Sequence, residues 1–298
     1  MLRRILKFLF VGLLLITFAY SMRSAWLEYT MAYKPKPLQF DLNNYINENI
    51  LPKDTKRVTI NYNFAGKQNF ISAFYLASLN DTLIVYLHGS GASRLQLMPL
   101  AKAMANLGYG FLLIDWPGHG ESNGGISWDD QERFALDRII RWARSSSKVR
   151  ELKLVTFAFS MGAWIASSKI KLKIKNGIDV AVSVGLPITA EATFPGVPGF
   201  MGYLQSIPAR ATSIFFGSKY WIKTPEQFLE DKTVPLLMIY GNDDTVYKRY
   251  EKPIEKILKR QIGSRQLLLI PDIGHSEALT QILNPMYLEK IDEFIRNH

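Results

Sequence analysis

The chain has 298 residues, no cysteine and a formal net charge of +10, from 36 Lys and Arg against 26 Asp and Glu. The absence of cysteine removes thiolate catalysis, Cys-ligated zinc, iron–sulfur clusters and disulfides together. With 48% hydrophobic and 12% aromatic residues the composition is that of a globular chain, long enough to bury a core without staples.

The first residues carry a targeting pattern. Arg3, Arg4 and Lys7 precede an unbroken apolar run from Phe8 to Tyr20. As a helix rising ~1.5 Å per residue the run spans about 20 Å, short of a bilayer core of about 30 Å. Ala19 and Ser21 supply small residues for a signal-peptidase site, which favours a cleavable signal. If Lys7 snorkels, the span extends from Ile5 to Met22, about 27 Å, enough for an uncleaved signal-anchor. Residues 1–30 are therefore expected to be a signal-anchor or a signal peptide. Either version keeps the basic flank cytoplasmic, with the folded domain membrane-anchored on the other side or exported. Residues 31–57 are polar and contain Lys34-Pro35-Lys36-Pro37, which cannot continue a helix. They are expected to be a linker.

From there the chain alternates strand and helix. Strands are expected at residues 58–63, 70–78, 83–87, 111–115, 152–159, 180–184, 236–240 and 267–270. Most from Leu83 onward are continuously apolar, as in parallel strands covered on both faces. Helical periodicity falls at about 94–107, 128–146, 161–172, 248–261 and 285–296. That order predicts an α/β doubly wound, mostly parallel sheet of eight strands with helices on both faces, entered through an antiparallel meander. Residues 187–233 interrupt the rhythm with Pro187, Pro195, Pro198, Pro208 and Pro225 and the aromatics Phe215, Phe216, Tyr220 and Trp221. Too long for a plain loop, this insertion is expected to form a small cap over the C-terminal edge of the sheet, where ligands of such sheets bind.

Ser160 lies where an expected strand meets a helix, within Ala158-Phe159-Ser160-Met161-Gly162. A serine on so sharp a turn projects its Oγ over the sheet edge, and small residues two positions either side let chain segments cross. Ala158 stands where glycine is commoner; Gly162 holds the other place. A serine nucleophile needs a base, and the chain has only four histidines, His88, His119, His275 and His298. His298 is the last residue, and His88 and His119 occupy glycine-rich turns upstream of the serine. His275 follows the last strand, at the same sheet edge as Ser160. The base needs an acid, and Asp243 and Asp244 follow another core strand. Adjacent residues cannot both face the histidine; Asp244 is preferred and Asp243 is the alternative. The order Ser160, Asp244, His275 matches the nucleophile–acid–base order of the nucleophile-elbow fold.

Backbone donors for an oxyanion are expected from the amide of Met161 and from Ser90, in the turn His88-Gly89-Ser90-Gly91. His88 is read as a packed residue that shapes this turn with Gly89. Residues 115–122, Asp-Trp-Pro-Gly-His-Gly-Glu-Ser, are read as a second tight structural turn.

From Val58 to its end the chain resembles the α/β-hydrolase superfamily, in its serine-hydrolase branch of esterases, lysophospholipases and monoacylglycerol-lipase-like enzymes. Five motifs carry the resemblance: His-Gly-Ser-Gly (88–91), residues 115–122, Ala-Phe-Ser-Met-Gly (158–162), Gly-Asn-Asp-Asp (241–244) and Gly-His (274–275). The resemblance implies the α/β-hydrolase fold over residues 58–298 and an acid three residues after Gly241, again Asp244. It implies cleavage of a carboxylic ester or thioester, on a lipid or other acyl substrate, without metal or cofactor. A peptidase or a non-catalytic binding protein of the same fold are the alternatives. No nucleic-acid motif accompanies the positive charge, so no nucleic-acid partner is expected. Lys169, Lys171, Lys173 and Lys175 are read as the solvated end of the helix after Ser160, with binding of anionic lipid headgroups the alternative.

Overall fold

The computed structural model describes residues 40–125, 130–145, 151–170, 177–187, 234–259 and 264–298, together with residues 12, 15, 18 and 19. The expected signal segment, apart from those four helical positions, lies outside the described residues, as do the expected cap beyond Pro187 and the side chains of the Lys169–Lys175 strip. Among the described residues no helix is long and apolar enough to cross a membrane.

All eight expected strands are present: β1 Lys56–Phe64, β2 Lys67–Leu76, β3 Thr82–Leu87, β4 Gly110–Ile114, β5 Lys153–Phe159, β6 Val180–Val184, β7 Leu236–Gly241 and β8 Arg265–Ile270. They form one sheet in the order β1-β2-β4-β3-β5-β6-β7-β8. Only the pairings of β2, with β1 and with β4, are antiparallel. The expected meander is thus corrected: the β1–β2 hairpin pairs with β4, and β3 crosses over to lie between β4 and β5. Every residue of β3 and of β4 is buried, so both need neighbours on both edges, and pairing β4 with β2 and β3 with β5 gives each of them two.

The helices are α1 Leu42–Asn47, α2 Met98–Ala105 (preceded by a 3-10 turn, Arg94–Leu97), α3 Asp130–Ser145, α4 Met161–Ile170, α5 Thr245–Lys259, α6 Ala278–Gln281 and α7 Pro285–Asn297. Successive side chains of a strand point to opposite faces, and the core divides accordingly. Leu83, Val85 and Leu87 of β3 join α3, α4 and α5 on one face. Ile84 and Tyr86 join α2, α6 and α7 on the other. In α4, Met161, Ala163, Trp164, Ile165 and Ala166 are all buried, as expected for a helix apolar on every side. Pro285 opens α7 behind the cap Asn284, whose side chain accepts the Met286 amide hydrogen.

The expected linker is not all linker. Asp41 caps α1 by accepting from the Asn43 and Asn44 amides, and Phe40 and Leu51 are buried on the α2/α7 face. Leu42, Tyr45, Ile46 and Ile50, at helical spacing, pack partly buried on the same face, and Phe40 and Leu51 each bury enough surface to contribute about 1.5–3 kcal/mol. Phe40 is also tied to the body: its amide donates to Glu121 and its carbonyl accepts from Arg57.

Candidate active site

Ser160 sits between β5 and α4 with φ +50°, a left-handed conformation that is costly for any residue but glycine. Two backbone hydrogen bonds impose it: Ser160 N donates to Val184 O of β6, and Trp164 N donates to Ser160 O as α4 begins. Strain of this kind concentrates at functional positions. The turn is tight enough that a Cβ on Gly162 would lie 2.2 Å from Leu87 O and 2.8 Å from His88 O. Ala158 is fully buried in the sheet, opposite Leu87 on one side and Ser183 on the other. The methyl group that departs from the commoner glycine is therefore accommodated.

His275 and Asp244 meet. His275 Nδ1 lies 2.7 Å from Asp244 Oδ2, and the other carboxylate oxygen accepts the Val246 amide at 2.7 Å. With the carboxylate as acceptor, the neutral tautomer that fits carries its proton on Nδ1 and presents the Nε2 lone pair. Asp244 is fully buried, whereas Asp243 points outward into an ion pair with Lys248. Of the two carboxylates, Asp244 is the one hydrogen-bonded to His275. The two loops are stitched together: Asp243 N donates to Ile273 O, Asn242 N to Ile270 O, and Asp272 N to the Asn242 side chain.

Two contacts place His275 against the residues that surround the Ser160 turn. The ring of Phe159, next to Ser160 in the chain, lies 5.1 Å from the imidazole with a tilt of 37°. Behind the imidazole is Gly185, which directly follows the residue that holds Ser160. A Cβ there would lie 2.5 Å from His275 Cε1 and 2.9 Å from Nδ1, and its φ is +58°. Tyr240 Oη donates to Leu186 O at 2.8 Å and secures that turn from below. Burial, with the nearby Asp244 charge adding to it, pushes the Tyr240 phenol well above its usual range, so it stays a donor. Gly185 and Tyr240 went unnoticed in the sequence. Glycine after a core strand was the available signal for the first; the second has none.

The other histidines are elsewhere. His88 is fully buried; its Nε2 accepts from Trp116 N and its Nδ1 donates to Gly89 O, while Trp116 Nε1 donates to His88 O. Burial, reinforced by neighbouring His119, holds His88 well below the usual histidine pKa, so it is a neutral strut. His119, bonded to Pro117 O, is also lowered by burial. His298 bonds to Phe294 O and Ser264 and stacks on the Phe294 ring.

The turns that follow β3 and β4 are locked by charge. Arg94 and Asp115 are both fully buried, paired at 2.6 Å through Nη2, with the Arg94 amide donating to the same carboxylate. Asp115 also accepts from Glu121 N, and Glu121 receives Arg94, Arg57 and Ser72. Arg94 Nη1 makes no hydrogen bond among the described residues, but a buried pair held by Nε and Nη2 is still costly to break from one side. It anchors residues 88–94, which carry Ser90 exposed at the rim. Met161 occupies the first turn of α4, where amides have no intrahelical acceptor. Among the described residues no cluster of three or more His, Asp or Glu side chains is arranged to hold a metal ion.

Residues 79–214 match the family model of the serine aminopeptidases, S33. The chain is 28% identical over 211 residues to the human protein ABHD12B, covering 65% of this chain and 55% of that protein. The match thus spans little more than half of the human relative. Over 217 residues it is 26% identical to YfhR of Escherichia coli (strain K12), covering 71% of this chain and 69% of YfhR. Among solved structures, an esterase of Pyrococcus furiosus superposes with a TM-score of 0.65 at 19% identity, covering 89% of this chain and 98% of the esterase. An alpha-beta hydrolase of Vibrio vulnificus gives 0.68 at 15% identity, covering 91% of this chain and 93% of its own. These structures share the fold described above.

Proposed function

We propose that this chain, a member of the α/β-hydrolase superfamily, is a serine hydrolase that cleaves carboxylic ester or thioester bonds through an acyl-enzyme. The observation that carries the reading is the buried Asp244 bonded to His275 at 2.7 Å, with the ring of Phe159, the residue before a serine strained to φ +50°, packed on the imidazole. His275 Nε2 takes the Ser160 proton as Oγ attacks the carbonyl carbon. The amides of Met161 and Ser90 stabilise the oxyanion. His275 then protonates the leaving alcohol or thiol, and Asp244 stabilises the imidazolium in between. Water, activated by His275, attacks the acyl-enzyme and releases the acid and free Ser160. Each residue thus takes the role its position suits.

The substrate is a small-molecule ester, thioester or lipid. The aromatic residues of the 187–233 insertion suit an acyl chain, and the basic, apolar N-terminal segment suits attachment to a membrane with the domain on the non-cytoplasmic side. Fluorophosphonate labelling tests the chemistry: the wild type reacts, and Ser160→Ala neither reacts nor turns over p-nitrophenyl esters while keeping its melting temperature. An active Ser160→Ala variant refutes the assignment. Carbonate extraction of the full chain tests attachment, which is wrong if the protein leaves with the soluble fraction.

A second reading, peptidase action, is favoured by the S33 match alone. Aminoacyl anilides compared with acyl esters distinguish the two by their ratio of kcat/KM.

A further inference from the structure

One polar side chain beside the site has no part in the chemistry above. Gln96, in the 3-10 turn after β3, points its carboxamide back at the oxyanion turn, and its Oε1 accepts the Gly89 amide hydrogen at 2.9 Å. The contact lies within the site's own layer. A Cβ on Gly89 would meet the Phe159 ring at 2.9 Å and Gln96 Oε1 at 3.5 Å, and the Phe159 ring flanks the imidazole of His275.

The bond matters because the turn offers two consecutive amides, Gly89 and Ser90. An amide already engaged by a carboxamide is not free for a developing charge. Gln96 occupies Gly89 and leaves Ser90 to the oxyanion. It also fixes one peptide plane of the turn, while Asp115 fixes the other end through the Arg94 amide at 2.7 Å. Without Gln96 the Gly89 amide would be a partly buried donor in need of a partner, and the 88–91 peptides could rotate to find one.

We propose that Gln96 is the positioning residue of the oxyanion turn: it orients the Gly89 and Ser90 peptides so that the Ser90 amide faces the tetrahedral intermediate. The proposal rests on the serine-hydrolase reading. Gln96 touches neither substrate nor the reacting atoms; it acts through the backbone. Its loss should therefore be felt in the transition state and not in ground-state binding.

The test is Gln96→Met, which keeps the side-chain length and removes the acceptor. The expected result is a kcat lower by about 10- to 100-fold with KM within about threefold, less than the complete loss of an oxyanion donor. The inhibition constant of a trifluoromethyl ketone, whose adduct needs the same donors, should rise by the same factor. Gln96→Glu guards against loss of folding. It keeps an acceptor oxygen and the wild-type melting temperature, but its carboxylate opposes the oxyanion. Its kcat deficit, measured against wild type at each pH, should narrow as the pH falls and the carboxylate is neutralised. If wild type is active and Gln96→Met matches it in kcat and ketone inhibition, the positioning role is overturned and the serine-hydrolase reading stands. A Gln96→Glu deficit that does not change with pH also overturns it. If wild type neither labels with fluorophosphonate nor hydrolyses esters, both fall together.

Discussion

A methyl group placed on Gly185 would press directly on the proposed base. The added Cβ would stand 2.5 Å from His275 Cε1 and 2.9 Å from Nδ1. Ordinary carbon contacts begin near ~3.5 Å, so the imidazole must retreat by about 1 Å or the β6 turn must move. The turn resists, because Tyr240 holds Leu186 O and Gly185 N donates to Ile239 O. The ring is the looser partner, with a side chain 28% exposed, but moving it stretches the 2.7 Å bond to Asp244. A displacement of that size at a catalytic base costs about 100-fold in kcat. Alanine at φ +58° adds backbone strain of about 1–2 kcal/mol. At about 2–4 °C per kcal/mol for a domain of this size, the melting temperature should fall by about 2–8 °C. Steady-state hydrolysis of a p-nitrophenyl ester, with a thermal melt on the same sample, measures both. The expected pattern is a large loss of kcat with KM nearly unchanged in a folded protein. A Gly185→Ala variant within threefold of wild-type kcat refutes the claim that this glycine sets the position of His275.

Three further outcomes follow from the geometry. Asp244→Asn should lower kcat by about 10⁴-fold, since the amide no longer holds the imidazole in the needed tautomer; Asp243→Asn, on a surface ion pair, should stay close to wild type. Equal losses in the two variants, read from ester kinetics, would contradict the assignment of the acid. Ser160→Gly should melt about 2–4 °C above Ser160→Ala, because glycine accepts φ +50° at a saving of about 1 kcal/mol; calorimetry that ranks them the other way removes the strain argument. His88 titrates lower in the folded protein than its unfolded value of 6.5, so the unfolded state takes up the proton first. Its stabilising effect is complete above pH 6.5 and is lost as pH falls below that. The slope is up to about 1.4 kcal/mol per pH unit, with His119 acting in the same direction. Urea midpoints that stay constant from pH 7 to 5 would be incompatible with neutral, buried histidines.

The sequence alone determined what depends on local pattern. Continuous apolar runs marked most of the strands from β3 onward, because a strand buried on both faces shows its burial in every residue. Ser160 and His275 stand out as candidates because each follows a strand and the chain has only four histidines. The pairing of neighbours far apart in the chain had to come from the tertiary structure. The crossover that puts β3 inside β4 is one of several orders that give buried strands two neighbours each, and periodicity carries no record of strand order. Phe40 and Leu51 look like linker until Glu121, Arg57 and the α2/α7 layer are around them. Asp244 was separated from Asp243 by Lys248 drawing one carboxylate outward and His275 holding the other inward. Gly185, Tyr240 and Gln96 are unremarkable residues in the linear chain. Folding brings the methyl-free backbone of Gly185 and the hydroxyl of Tyr240 within contact distance of groups that chain order keeps remote, and the turn after β3 folds the Gln96 carboxamide back on Gly89, seven residues away.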